Sequence, residues 1–212
     1  MKLWSTGWAN GEPIPDRYAA GRLDVAGVAF GDNLSPPLAW DQLPPGTASL
    51  ALICHDFDVP ADAARARGTA GDPELPADLP RQDFFHWVLV DLPPTLGGLG
   101  EGELSRGFTP GGKPGPQAAH GARQGLNDYT GWFDGDTALQ GRYFGYDGPF
   151  PPPHDGLVHH YLFTLYALSV PRLPLDGTFG GAQVREALAG RVLDAATLSG
   201  TFTLNRRLRG LA

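Results

Sequence analysis

The stretch "ALICHDFDVP", residues 51–60, decides how the chain is read. An apolar run of strand length drives straight into His55-Asp56-Phe57-Asp58 and then Val59-Pro60. Two acids in such a place either cap a turn into the following loop, where Asp is common, or stand at the rim of a site. Three other stretches read as strands: "FFHWVLVDL" (84–92), "HHYLFTLYALSV" (159–170) and "LSGTFTLN" (198–205). Their aromatic and β-branched residues, bounded by Pro, Gly and Asp, point to antiparallel β structure. One helix is expected, over "AQVREALAGRVLDAAT" (182–197), where Val184, Leu188 and Val192 fall at i, i+4 and i+8.

The 30 glycines and 21 prolines among 212 residues favour strands and loops over long helices. A hydrophobic fraction of 42% against 18% charged residues excludes a disordered chain, and the length fits one domain over 1–212. A net charge of −7 opposes a nucleic-acid partner, which needs clustered Lys and Arg. Any bound anion must therefore be held by local groups against the overall field. The N-terminal stretch has no apolar run suited to a signal peptide or a membrane insertion, and Cys54 is the single cysteine. The expectation is a cytoplasmic protein with Cys54 as a small core residue. Long loops are expected at 61–83 and 93–153. No G-x-S-x-G, H-E-x-x-H or C-x-x-C motif is present.

The chemistry gathers at strand ends. The first strand finishes at Asp56 and Asp58, the second begins near His86, and the third begins at His159, His160 and Tyr161. Antiparallel neighbours place the end of one strand beside the start of the next. If the first strand lies between the others, these groups collect at one rim. Alternation puts His86 on the face of Val88, Val90 and Leu92, and His159 on the face of Tyr161, Phe163, Leu165 and Ala167. His55, His120 and His154 lack such context and are read as surface residues. Each acid or histidine alone is better read as structural; their coincidence at strand ends favours a small pocket.

The blocks "NLSPPLAW" (33–40), "LPPGTASLALICHDFDVP" (43–60), "FHWVLVDLP" (85–93), "GYDGPFPPP" (145–153) and "HHYLFTLYAL" (159–168) resemble the phosphatidylethanolamine-binding proteins, and most closely their bacterial, Raf-kinase-inhibitor-like branch. The likeness spans nearly the whole chain, to "VLDAATLSGTF" (192–202). It implies a mainly β fold, an antiparallel β-sandwich with a few short peripheral helices, one of them C-terminal. By resemblance, Asp56 and Asp58 take the pocket carboxylate positions, His86 the first histidine, and His159 with Tyr161 the last. Pro151 and Pro152 match a proline loop that walls the pocket. The chain departs from the family pattern at Phe57, which replaces a proline between the acids, and at His160, which replaces an arginine.

These readings set expectations for function. Asp56 or Asp58 accepts a hydrogen bond from His86 and favours its imidazolium. His86 and His159 then donate to an anionic head group, a phosphate or a carboxylate. Pro60 holds the turn after the acids, with a cis Val59–Pro60 bond as one option, and Phe57 helps shape the pocket. The protein is expected to bind a small anionic ligand without catalysis, cofactor or metal. One alternative is a metal-dependent enzyme using Asp56, His86 and His159. Another, implied by the family name, is an inhibitor of a kinase or protease partner. Family analogy also implies a possible homodimer.

Overall fold

The computed structural model describes residues 1–69 and 71–211. Ala70, inside the expected 61–83 loop, and Ala212, at the end of the expected 1–212 domain, lie outside the described residues. The strands in chain order begin with β1 (Lys2–Trp4), β2 (Gly21–Asp24), β3 (Gly27–Phe30) and β4 (Leu38–Asp41). The long β5 (Ser49–Pro60) leads through helix α1 (Ala63–Ala66) to the long β6 (Arg81–Leu92). Short pieces follow: β7 (Gly98–Leu99), β8 (Gly112–Lys113), β9 (Arg123–Gln124), helix α2 (Tyr129–Trp132) and β10 (Arg142–Tyr143). The chain then forms β11 (His159–Leu168), helix α3 (Gly181–Ala187) and β12 (Val192–Phe202).

The four long strands make the main sheet, in the order β12-β11-β5-β6 with β9 at the far edge, every pair antiparallel. The first long strand does lie between the other two, β11 opening at His159 as expected but β6 opening at Arg81, five residues before His86. One face of this sheet packs Leu50, Leu52, Trp87, Leu89, Phe163 and Leu165 against Leu38, Trp40 and Leu99. The last three belong to the second sheet, β1-β4-β7. The two sheets form a mainly β sandwich with the principal core between them. The opposite face, with Ala51, Ile53, Val88 and Val90, is covered by Val184 and Leu188. Cys54 is buried in the principal core, as expected.

The helix expected over 182–197 is half helix and half strand. Only Gly181–Ala187 is helical, and Val184 and Leu188 bury the anticipated stripe. Gly190 then takes φ +70, a left-handed conformation that ends the helical path. Val192–Thr197 pairs with Leu168–Thr164 of β11. Cross-strand hydrogen bonding along β11 outweighs the helical spacing of Val184, Leu188 and Val192. Strand β12 therefore runs from 192 to 202 rather than from 198 to 205.

The expected turn at the acids is also displaced. β5 continues through Asp56 and Asp58 to Pro60, which stands opposite Arg81. Among the described residues the cis peptide is Gly115–Pro116 and not Val59–Pro60. Pro60 prolongs extended backbone instead of closing a turn, so a trans bond suits it. Replacing Leu165 with Ala in the middle of β11, where the side chain is fully buried, should cost about 2–5 kcal/mol. Urea denaturation checks this, with an unchanged slope showing that the fold is retained.

Candidate functional site

Two irregularities in pairing build the site. On β6, Cys54 stands opposite Trp87 while the next residue, His55, stands opposite Phe85. His86 is thus the extra residue of a bulge, and a bulge re-aims its side chain. The expected face of Val88, Val90 and Leu92 is therefore wrong for His86. The slip moves His86 to the sandwich side, with Trp87 and Leu89, while Val88 and Val90 face α3. On β5, Asp56 opposes Phe84 and Val59 opposes Gln82, which leaves an extra residue in the Asp-Phe-Asp segment. The Asp58 amide donates to Asp56 Oδ1 at 2.7 Å across this kink.

Asp56, His86 and Tyr161 lie together at the bottom of a cavity of about 340 Å³. Its walls are Val59, Phe84, Tyr129, Trp132, Phe133, Leu139 and Phe150 with Pro151, Pro152 and Pro153. Hairpin β2–β3 adds Val28 and Phe30 to one side, and the α1 segment adds Ala66, Arg67 and Gly68 to another. The proline wall appears where the sequence placed it. The His86 ring is held edge-on by Tyr129 and Tyr161, with centroids at 5.6 and 5.2 Å.

The acid–histidine pairing differs from the expectation. His86 does not bond to Asp56 or Asp58. Its Nδ1 donates to the main-chain carbonyl of Asp147 at 2.8 Å, because the bulge turns the ring toward the 145–153 loop. A carbonyl only accepts, so the neutral ring keeps its proton on Nδ1 and leaves a lone pair on Nε2. That Nε2 is buried and has no partner. Burial, opposed by the nearby Asp56 charge and the Asp147 carbonyl, lowers the His86 pKa to about 4. His86 is neutral at pH 7, not an imidazolium.

His159 carries the charge instead. Its Nδ1 donates to Asp56 Oδ2 at 2.7 Å and its Nε2 to Asp155 Oδ2 at 3.1 Å. Burial disfavours this charge, but Asp56 and Asp155 outweigh it and lift the pKa to about 9. Arg81 closes the chain with two bonds to Asp155, at 2.6 and 3.1 Å. Two carboxylates thus alternate with two cations, and the buried charges balance. Both His159 nitrogens are taken by carboxylates and His159 does not line the cavity, so neither ring nitrogen is free to meet a ligand or a metal there. Among the described residues no group of three His, Cys, Asp or Glu is placed to hold a metal ion.

The remaining expected residues fall outside the cavity. Asp58 accepts from both the main-chain N–H and Nδ1 of His160 at 2.8 Å, since alternation after the kink turns it to the neighbouring strand. Phe57 is 40% exposed and stacks on His160 with an interplanar angle of 10°. The two departures from the family pattern thus pair with one another outside the pocket. Pro60 is buried in the strand and does not line the cavity. His120 is exposed, but His154 is buried, with Nε2 donating to the Arg65 carbonyl at 3.2 Å, and His55 is partly covered beside Phe85. The Arg65 segment covers His154 and Phe85 of β6 covers His55, contacts invisible in local sequence context.

Several residues were missed. Asp147 is fully buried and accepts from Asn33 Nδ2 and Asn127 Nδ2, each at 2.7 Å, with Lys113 Nζ at 3.0 Å. Asn33 Oδ1 also accepts from the Gly148 amide, and the Asp147 amide donates back to the His86 carbonyl. This network fixes the carbonyl that sets the His86 tautomer. Burial raises the Asp147 pKa and lowers that of Lys113, each opposed by the other. Asp147 sits in the quoted "GYDGPFPPP" block, and Asp155 lies four residues before His159; both signals were available. Asn33 likewise opens the quoted "NLSPPLAW" block, whereas Lys113 and Asn127 lie in no such block and give no signal.

The chain matches the family model described as phosphatidylethanolamine-binding protein over residues 4–203. It belongs to that family. A UPF0098 protein of Methanothermobacter thermautotrophicus is 34% identical over 182 residues, covering 86% of this chain and 91% of the relative. The Escherichia coli UPF0098 protein YbhB is 30% identical over 204 residues, 96% of this chain and 100% of YbhB. The crystal structure of the phosphatidylethanolamine-binding-protein homologue CT736 of Chlamydia trachomatis superposes with a TM-score of 0.63 at 28% identity, over 95% of each chain.

The two histidines give stability opposite pH dependences. For His159 the folded pKa of about 9 exceeds the reference 6.5, so its contribution is complete below about 6.5 and lost as pH rises through 9. For His86 the folded value of about 4 lies below 6.5, so the unfolded chain gains a proton the native one refuses, and stability drops from pH 6.5 toward 4. His159→Gln should cost about 3–5 kcal/mol by leaving two buried carboxylates short of a cation. In denaturant titrations it should also flatten the decline between pH 7 and 9; a slope equal to that of the wild type contradicts the assignment.

Proposed function

We propose that this protein is a non-catalytic binder of small ligands with an acidic head group, a phosphate or a carboxylate, taken into the cavity head first. The observation that carries the reading is the buried, unpartnered Nε2 of His86 at the floor of a cavity whose walls are mostly apolar. A buried polar atom without a partner is costly and uncommon, and it faces a space large enough for a ligand. The Tyr161 hydroxyl stands beside the Asp56 carboxylate, also without a well-formed hydrogen bond, and can donate to the same ligand.

Because neutral His86 presents a lone pair, an anion cannot sit on Nε2 unless a proton comes with it. The head group binds as its acid, or as the anion on a newly protonated imidazolium; the proton count is the same. Charge-assisted hydrogen bonds of this kind contribute about 1.5–3 kcal/mol each. Asp56, already turned toward His159 and the Asp58 amide, supplies the field that favours the proton. A cytoplasmic location is part of the same reading, supported by the lone thiol Cys54; among the described residues no helix is long and apolar enough to cross a membrane.

Benzoate tests this reading, because its carboxylate stays ionised from pH 6 to 8 and any proton taken up belongs to the complex. Calorimetry in buffers of different ionisation enthalpy should show about one proton absorbed per benzoate, and affinity should rise about tenfold for each unit of falling pH. Binding without proton uptake, or affinity flat over that range, removes the role given to His86.

A further inference from the structure

One side chain at the cavity mouth is unused by the floor chemistry. Arg67, just after α1, is the sole Lys or Arg among the residues lining the cavity. Among the described residues no carboxylate pairs with it. In a chain of net charge −7, an unpaired guanidinium at a pocket mouth is a local reversal of the surrounding field.

The backbone that carries Arg67 is fixed on both sides. Asp62 caps the turn through the amides of Ala64 and Arg65, at 3.0 and 3.2 Å. The Arg65 carbonyl receives His154 Nε2. Gly68 lies so close to the His154 ring that an added Cβ would stand 2.5 Å from it. The guanidinium lies over Trp132, with Cζ 4.5 Å from the ring centroid, and Nη2 donates to the Trp132 carbonyl. Trp132 is itself a cavity wall. A guanidinium has five N–H donors in a planar fork, and one interaction with a carbonyl leaves most of them free. The other lining residues, apart from Asp56, His86 and the tyrosines, are apolar or glycine.

We propose that Arg67 is a specificity-determining residue that reads a second acidic group, so that the cavity prefers ligands with two acidic groups joined by an apolar spacer. One acid lies on the His86 floor and the other meets the Arg67 fork at the mouth. Phe84, Phe133 and Phe150 line the space for the spacer. The inference rests on the floor holding an acidic head, and it adds what the far end of the ligand must carry.

Benzoate and terephthalate are the probes, the second adding a para carboxylate to the same ring. Wild type should bind terephthalate more tightly by about two- to fivefold beyond the statistical factor of about two, the upper part of the range for a partly exposed ion pair. Arg67→Gln should reduce the ratio to that statistical factor, while benzoate still binds with uptake of about one proton. Arg67→Lys, which keeps the charge without the fork, should retain part of the preference. A wild-type ratio of about two, or an equal ratio in Arg67→Gln, overturns the assignment and leaves Arg67 as packing for Trp132. If neither probe binds, the floor reading falls and this inference with it; benzoate binding with proton uptake but no Arg67-dependent ratio sinks this inference alone.

Discussion

Two carboxylates share one imidazolium at the centre of this molecule. Asp56 and Asp155 come from different parts of the chain, a sheet strand and the loop after the proline wall, and His159 joins them at 2.7 and 3.1 Å. None of the three could remain charged in that place alone, because burial of an isolated ion is too costly. Arg81 supplies the fourth charge from the start of β6. The arrangement ties β5, β6, β11 and the 145–156 loop to a common point, and it also gives the cavity floor its field. Stability and the proposed binding thus draw on the same charges.

The neutral state of His86 follows from what its neighbours do not provide. Asp56 is already committed to His159 and to the Asp58 amide, so no carboxylate is left to hold a proton on the second histidine. The Asp147 carbonyl fixes the tautomer, and the side chain of Asp147 is fixed in turn by Asn33, Asn127 and Lys113. One histidine is structural and charged, and the other is open and neutral. Their environments drive their proton affinities apart, a pattern by which sites assign separate roles to like groups.

Much of this was legible in the sequence. Apolar runs bounded by turn residues mark all four long strands, although β6 begins five residues before His86 and only His86 of the two histidines lines the cavity. The pairings around that cavity were not legible. A bulge adds one residue to β6, and a one-residue slip reverses every inference from alternation, so His86 was assigned the wrong face. The 192–197 segment carries a helical stripe that β11 overrides by pairing. His159 was read as a ligand donor because Asp155, four residues earlier, was left in a loop. The Asn33–Asp147–Lys113 contacts join residues more than 30 positions apart, and nothing local announces them.

The loop between β5 and β6 has a further meaning for how such a pocket diversifies. Its two ends are anchored by different means, the first turn by the His154 ring against Gly68 and the far end by Arg81 on Asp155. Among the described residues of this loop none joins Asp56, His86 and Tyr161 at the floor. On the proposed reading, changes at Ala66 and Arg67 would retune what the mouth admits while the proton-handling base stays intact. Selectivity and acid recognition would then occupy separable parts of the chain, and new ligand preferences would arise by exchanging the rim alone.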